Sequence, residues 1–200
     1  MTLCAASDIL TYWLGDPQSS SYPEWRNPLW FGHKPEVDQY MRDHFMDAYR
    51  AAAAGELDHW TESAQGHLAL ILLLDQFSRN LFRGNAAMYA ADDRAVDLSL
   101  RLVESGRHLT YHPLEQLFIY LPLEHAENVS LQRMCVRLFD RLVEEVPDTD
   151  RPRYAGLLDY AHKHRDVVEK YGRFPHRNAI LGRPNTPAEE EYLATPGAGF

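Results

Sequence analysis

The sequence predicts an all-α fold, an array of about seven to nine helices packed as helical hairpins. Three observations lead to this prediction. Apolar residues recur at the three- and four-residue spacing of a helix face through most of the chain, glycines and prolines separate these stretches, and no segment has the alternation of a half-buried strand. Short connections between amphipathic helices favour antiparallel neighbours.

Glycine stops divide the first half of the chain. One apolar stripe ends at Gly15, a second runs from Pro35 to Gly55, and a later one ends at Gly106. Glycine ends a helix readily because it adopts the left-handed conformation without a steric cost. The helices expected in this half cover residues 7–14, 35–54, 62–82 and 92–105.

Prolines and caps set the boundaries in the second half. Pro113 suits the first position of a helix, and Pro122 falls inside the same apolar pattern, so we expect that helix to kink or end just before Glu124. Thr186 and Glu189 have the spacing of a capping box and start a last short helix. Two further helices are expected over residues 130–144 and 153–170, and a loose tail from about residue 194.

The helix expected over residues 62–82 combines the most apolar part of the chain with a row of charges. Residues 68–74 are apolar on every side, as in a helix at the centre of a core. Asp75, Arg79 and Arg83 then follow at intervals of four and lie along one face. This row is either an intrahelical ladder of ion pairs or a set of ligand-binding groups.

Composition and charge indicate an ordinary globular protein. A chain of 200 residues with 45% hydrophobic and 24% charged residues predicts a single helical domain over residues 1–200. A net charge of -9 works against binding nucleic acid or anionic lipid, and no apolar run is long enough to span a membrane. Two cysteines without paired spacing, and no recognisable secretory signal, lead us to expect a cytoplasmic protein.

Polar groups also interrupt two later helices. His125 and Glu127 follow the proline at 122, at a place where a helix end or a functional loop is common. His164 and Arg165 continue the apolar stripe of helix 153–170. Because buried polar groups need partners, we expect an acidic or phosphorylated group opposite this pair.

The densest polar stretch, residues 171–178, follows a helix-stopping glycine. Pro175 can begin a short helix there, and free N–H groups at a helix start favour an anion. One interpretation is an arginine clamp for a carboxylate or phosphate; the other is a set of ion pairs from these arginines to Asp75, Glu124 and Glu127. The polar residues of the stretch are Arg173, His176, Arg177 and Asn178.

Several motifs in a fixed order resemble one bacterial family. They are residues 12–15 (YWLG), 30–32 (WFG), 73–80 (LLDQFSRN), 120–127 (YLPLEHAE), 164–165 (HR), 172–178 (GRFPHRN) and 181–183 (LGR). Together they are similar to the family known as domain of unknown function 924, over nearly the whole chain. Ser78, Ala126 and Asn128 depart from the family pattern, where proline, serine and an acidic residue are usual. The resemblance implies an all-α, tetratricopeptide-like fold, and it brings no established activity.

The sequence leaves two functional hypotheses open, and with them whether the protein is an enzyme. In the first, a polar pocket binds a small anionic ligand, with His125, His164 or His176 as general acid or base. The ligand-binding candidates are Asp75, Arg79, Arg83, Glu127, Arg165, Arg173, Arg177, Asn178 and Arg183.

In the second hypothesis, a tetratricopeptide-like array presents a surface to a peptide, and the polar motifs only lock the helices together. Tyr22, Trp25 and Trp30 are expected to be exposed and to contribute to a partner surface. Oligomerisation is open in both cases. No metal or cofactor is expected, because the histidines and acids lack metal-binding spacing and no phosphate loop or dinucleotide fingerprint is present.

Overall fold

The computed structural model describes residues 3–199, and none of these residues is in a β-strand, which confirms the all-α prediction. The α-helices are α1 (Ala6–Leu14), α2 (Asn27–Trp30), α3 (Pro35–Ala54), α4 (Ala64–Ile71), α5 (Ser78–Leu81), α6 (Asp92–Glu104), α7 (Pro113–His125), α8 (Val129–Glu145), α9 (Arg151–Tyr171) and α10 (Pro187–Leu193). Short 3₁₀ turns lie between several of them.

The expected start and stop signals are used in the fold. Gly55 ends α3 with a φ of 84° and Gly172 ends α9 with a φ of 73°, both in the left-handed region that glycine tolerates. Thr186 and Glu189 form the predicted capping box, in which each residue accepts a hydrogen bond from the backbone N–H of the other. Local signals therefore place these helix ends within a few residues.

A π-helical turn, Leu72–Phe77, joins α4 to α5 without a break. If α4, the π turn and α5 are counted as one continuous helix, residues 3–199 contain nine helices, not counting the 3₁₀ turns. The turn carries Asp75 and Gln76 on otherwise apolar helix. A π turn inserts an extra residue and changes the direction of the side chains that follow, and such turns are frequent at functional sites.

Helix α7 contains Pro122 and continues to His125. The helix therefore does not end at the proline, one of the two outcomes expected from the sequence. Proline removes one backbone hydrogen bond of the helix but leaves its other residues able to continue it. Glu124 and His125 consequently lie on the last turn of a helix.

The chain forms two compact units, one ending at Pro122 and the other beginning at Leu123. In the first unit α1 packs against α4. The fully buried side chains of this unit include Trp13, Leu70, Phe77 and Phe118. Trp30 is also buried, at 7% exposure, and donates its indole N–H to the carbonyl of Trp13, so the prediction that Trp30 is exposed is wrong. A single domain and a tetratricopeptide-like arrangement stay predictions.

In the second unit, α8 and α9 form a helical hairpin connected by residues 146–150. A small core of Val167, Val168 and Phe174 lies at its far end, packed against Val129, Tyr171 and Tyr192. Among residues 3–199, no helix combines the length and apolar character that crossing a membrane requires.

Candidate functional site

In the first unit, the row of charges after the apolar helix pairs with two other helices. Arg79 lies 3.4 Å from Asp75, four residues before it, and donates to both oxygens of Asp92 at 2.6 and 3.0 Å. Burial opposes its charge, but Asp75 and Asp92 together raise the pKa of Arg79. Within the row, the intrahelical ion pair therefore forms between Asp75 and Arg79.

Arg83, the last residue of the row, binds Asp38 of α3. Its guanidinium donates to the two Asp38 oxygens at 2.6 and 3.1 Å, and Asn80 donates to the same carboxylate at 2.8 Å. Burial raises the pKa of Asp38, but the hydrogen bonds from Arg83 and Asn80 outweigh it and leave the pKa below its ordinary value. Both arginines of the row thus bind carboxylates of the same unit.

In the second unit, side chains hold the end of α7. Gln132, which is fully buried, donates its amide to the carbonyls of Glu124 and, at 2.8 Å, Ala126. Arg177 donates to the carbonyl between them, that of His125, at 2.9 Å. The last carbonyls of a helix have no partner inside it, so these donors supply what the backbone lacks.

Two imidazoles contact the ring of Phe174 and a third lies beside one of them. We call His125, His164, His176, Phe174 and Arg177 the imidazole cluster. The ring centres of His164 and His176 each lie 5.5 Å from that of Phe174, and His125 lies 6.4 Å from His164. The Arg177 guanidinium stacks on Phe174 at 4.5 Å. Residues from α7, α9 and the stretch 171–178 therefore meet in the second unit.

His164 is oriented by two oxygen atoms. Its Nδ1 donates to the carbonyl of Tyr160 at 2.9 Å and lies 3.4 Å from a carboxylate oxygen of Glu124. The expectation of an acidic group opposite His164 is thereby confirmed. Because Nδ1 carries the hydrogen, the unprotonated nitrogen of the neutral ring is Nε2.

Burial sets the protonation of two of the three rings. It lowers the pKa of His164 to about 3, with the charges of His125 and Arg177 adding to the effect. Burial likewise lowers the pKa of His176 to about 4, helped by Arg177 and opposed by Glu127. Despite the nearby Glu124, His164 is therefore a neutral hydrogen-bond donor and not an ion-pair partner at neutral pH.

The loop after the imidazole cluster is fixed by two arginine–carboxylate pairs. Arg183 binds Glu127 through two hydrogen bonds of 2.6 and 2.8 Å, and also donates to Asn178 at 2.9 Å. Arg173 binds Glu189 in the same bidentate way, at 2.6 and 2.8 Å. The ion-pair interpretation named Asp75, Glu124 and Glu127 as partners of the arginines in residues 171–178. Arg173 instead binds Glu189, and Glu127 is bound by Arg183, which lies outside that stretch.

The helix start proposed at Pro175 is a single 3₁₀ turn, Pro175–Arg177. Pro175 has no N–H, and the N–H groups of Phe174 and Arg177 already donate to Glu127 and to the carbonyl of Phe174, so none of these positions offers an N–H to an anion. Arg165 pairs with its exposed neighbour Asp166, and its own side chain is 27% exposed. Of the pair His164 and Arg165, the histidine is the one that lies in the imidazole cluster.

Sequence reasoning missed four partners of the predicted residues: Asp38, Asp92, Gln132 and Glu189. The three acids lie on α3, α6 and α10, and no local spacing connects them to their arginines. Gln132 offered a weak signal, as an amide on the buried face of an amphipathic helix.

Fold and site together define the class of protein: an all-α protein in which several arginines bind carboxylates and two histidines contact the ring of Phe174. Residues 3–199 hold no group of three or more histidine, cysteine or acidic side chains suited to a metal ion. The chain belongs to the family of bacterial proteins of unknown function DUF924, whose sequence profile matches residues 9–197. The resemblance seen in the motifs is thereby confirmed.

A solved structure supports the same assignment. The chain is similar to a protein of unknown function from Agrobacterium tumefaciens, with 38% sequence identity and a TM-score of 0.75, over 94% of this chain and 96% of that one. No functionally curated protein matches the sequence.

Proposed function

We propose that the second unit binds a small anionic ligand at the imidazole cluster, with its histidines available for acid–base chemistry. One observation carries the proposal: the guanidinium of Arg177, a residue only 7% exposed, stacks at 4.5 Å on the Phe174 ring that His164 and His176 also contact. Burial lowers the pKa of both imidazoles, and the charge of Arg177 lowers both values further. A site in which positive charge is felt by two neutral imidazoles is favourable for an anion.

The proposed site contains fewer arginines than the sequence suggested. Arg79, Arg83, Arg173 and Arg183 each bind a carboxylate at hydrogen-bond distance. These pairings favour a structural role for them, and likewise for Asp75, Glu127 and Asn178. Arg177 lies in the imidazole cluster itself, where it donates to the backbone carbonyl of His125 and stacks on the ring of Phe174.

His164 is the histidine best suited to act as a base. A carbonyl and a carboxylate fix its Nδ1–H, which holds the ring in one tautomer and one orientation, as second partners do for catalytic histidines. A negatively charged ligand nearby raises the pKa of such a ring from its low value towards neutrality. Ligand binding then makes proton transfer by His164 more favourable.

The proposal is tested by ligand-induced thermal stabilisation with inorganic phosphate, sulfate, acetate, succinate and citrate as probes. A ligand at 100 times its Kd stabilises the folded state by about 2.7 kcal/mol. We expect at least one probe to stabilise the wild-type protein and not Arg177→Ala. Arg133→Ala is the matched control, because Arg133 forms an exposed ion pair with Glu169 in the same unit.

Two outcomes contradict the proposal. The first is that no probe stabilises the wild-type protein; the second is that Arg177→Ala responds as the wild type does. If Arg177→Ala fails to fold, ligand-induced stabilisation is compared between the wild type and Arg177→Lys, which retains the positive charge. Loss of folding in both variants supports the alternative, in which the imidazole cluster only locks the helices of an interaction module.

A further inference from the structure

The segment that follows α10, residues 195–199, folds back on the helix that precedes it. Thr195 donates its N–H and its hydroxyl to the carbonyl of Tyr192, at 3.0 and 2.6 Å, and Ala198 donates to the carbonyl of Thr195 at 3.2 Å. Gly199 donates to the hydroxyl of Tyr192 at 3.4 Å. We call residues 195–199 the strap.

The far end of the strap lies directly against His176. A Cβ atom added to Gly199 would be 3.0 Å from Cβ and 3.3 Å from Cγ of His176. The φ of Gly199 is +97°, which side chains other than glycine rarely adopt. A side chain at residue 199 would therefore be strained by the backbone conformation and would press against the imidazole of His176.

The hydrogen bonds between the strap and other described residues are local or long. Three of its hydrogen bonds are local ones around the turn after Tyr192, and the bond from Gly199 is long. Thr195, Pro196 and Gly197 are exposed. Segments with little buried apolar surface and exposed hydrogen bonds open locally at low free-energy cost.

The base of the strap, in contrast, is anchored. Tyr192 packs against Tyr171, with ring centres 5.2 Å apart, and belongs to the apolar core around Phe174. The strap can therefore move about residues 195 and 196 while α10 stays in place.

We infer that the strap is a gate over the imidazole cluster, covering the edge of His176 and opening to admit solutes. The inference rests on the function proposed for the cluster, since it assigns regulation of access to that same site. Burial is the largest cause of the low His176 pKa, and Arg177, Glu127, Arg183 and His125 are the charged or titratable groups that act on this ring. An open strap hydrates His176 and brings its pKa closer to the ordinary value.

The test measures access to His176 without any ligand. Diethyl pyrocarbonate transfers its ethoxycarbonyl group to unprotonated imidazole nitrogens, and mass spectrometry gives the rate for each histidine. At pH 7.5 His176 is unprotonated whether the strap is closed or open, so the rate reports access alone. Exposed His59 serves as the internal standard.

We expect a chain that ends at Ala194 to react several-fold faster at His176 and at the same rate at His59. Gly199→Ala should show the same direction of change, because its methyl group displaces the strap from the ring. Gly106→Ala is the control for backbone strain alone, since Gly106 has a φ of +71° and nothing within 4 Å.

An unchanged rate at His176 in both strap variants overturns the gate. So does an increase that Gly106→Ala reproduces, because that would reflect general destabilisation. The result is independent of the anion probes, so failure of the gate and failure of the proposed ligand site are distinguishable.

Discussion

Arg183 supports the loop that carries the imidazole cluster, and replacing it with alanine tests the ion-pair network. The variant loses two hydrogen bonds to Glu127, one to Asn178 and a 3.2 Å bond to the carbonyl of Phe174. Glu127 then keeps a carboxylate that is only 25% exposed without its bidentate partner.

The magnitude follows from the exposure of the pair. Removing one member of a fully buried ion pair costs about 3–5 kcal/mol, whereas a fully exposed pair contributes about 0–1 kcal/mol. About a quarter of each side chain is exposed here, at 24% and 25%. We therefore expect Arg183→Ala to lower the free energy of unfolding by about 2–3 kcal/mol.

Urea denaturation measures this difference as a shift in the midpoint at constant slope. Arg165→Ala is the control, because Arg165 pairs with an Asp166 that is 63% exposed, and should cost less than about 1 kcal/mol. Equal losses in the two variants would refute the reasoning that Arg183 holds a structural network.

Three further predictions concern stability and pH. Gly156 lies within α9, and a Cβ atom added there would have nothing within 4 Å, so Gly156→Ala should stabilise the protein by about 0.5–1 kcal/mol in calorimetry. Gly66→Ala should destabilise it, because its Cβ would lie 2.3 Å from the carbonyl oxygen of Trp60. Gln132→Met removes the two hydrogen bonds that Gln132 donates to the end of α7 and should cost about 1–3 kcal/mol in urea denaturation, with a shift of the His125 ring signals in NMR. In the folded protein the pKa of His164 is about 3 and that of His176 about 4, below the ordinary value of 6.5. Between pH 6.5 and 3 the unfolded chain therefore binds more protons than the folded protein. The free energy of unfolding should be highest above pH 6.5 and fall as the pH drops towards 3.

Each of these predictions has an outcome that contradicts it. A Gly156→Ala variant less stable than the wild type would show that the α9 backbone needs glycine. Gln132→Leu is the matched variant of similar size, and Gln132 has no structural role if neither variant is destabilised. A stability curve that is flat between pH 6.5 and 4, or unchanged when His164 and His176 are replaced by asparagine, would contradict burial of neutral imidazoles.

Sequence reasoning located most helices because their signals are local. The apolar stripe of α3 and the left-handed glycine after it lie within the same stretch, and so do the capping box and the helix it begins. The end of α7 was harder to predict, because proline ends many helices but is tolerated inside others, as Pro122 is in α7.

The partners of the charged residues could not be found in this way. Arg83 binds Asp38 from 45 residues away and Arg183 binds Glu127 from 56 residues away, and no spacing rule connects such positions. The π-helical turn at Asp75 is a second reason, because one inserted residue changes which side chains share a face. The hypothesis of a polar pocket named His125, His164 and His176 as candidates for one site, and these rings lie near one another in the second unit.

The most direct test of the anion site is an NMR titration of the histidine rings with and without saturating phosphate. We predict that phosphate raises the pKa of His164 and His176 in the wild-type protein, because an anion stabilises the protonated imidazole, and that Arg177→Ala removes this effect while Arg133→Ala preserves it. If the titration curves of both rings are identical with and without phosphate, and with the carboxylate probes as well, the imidazole cluster does not bind anions and serves the fold alone.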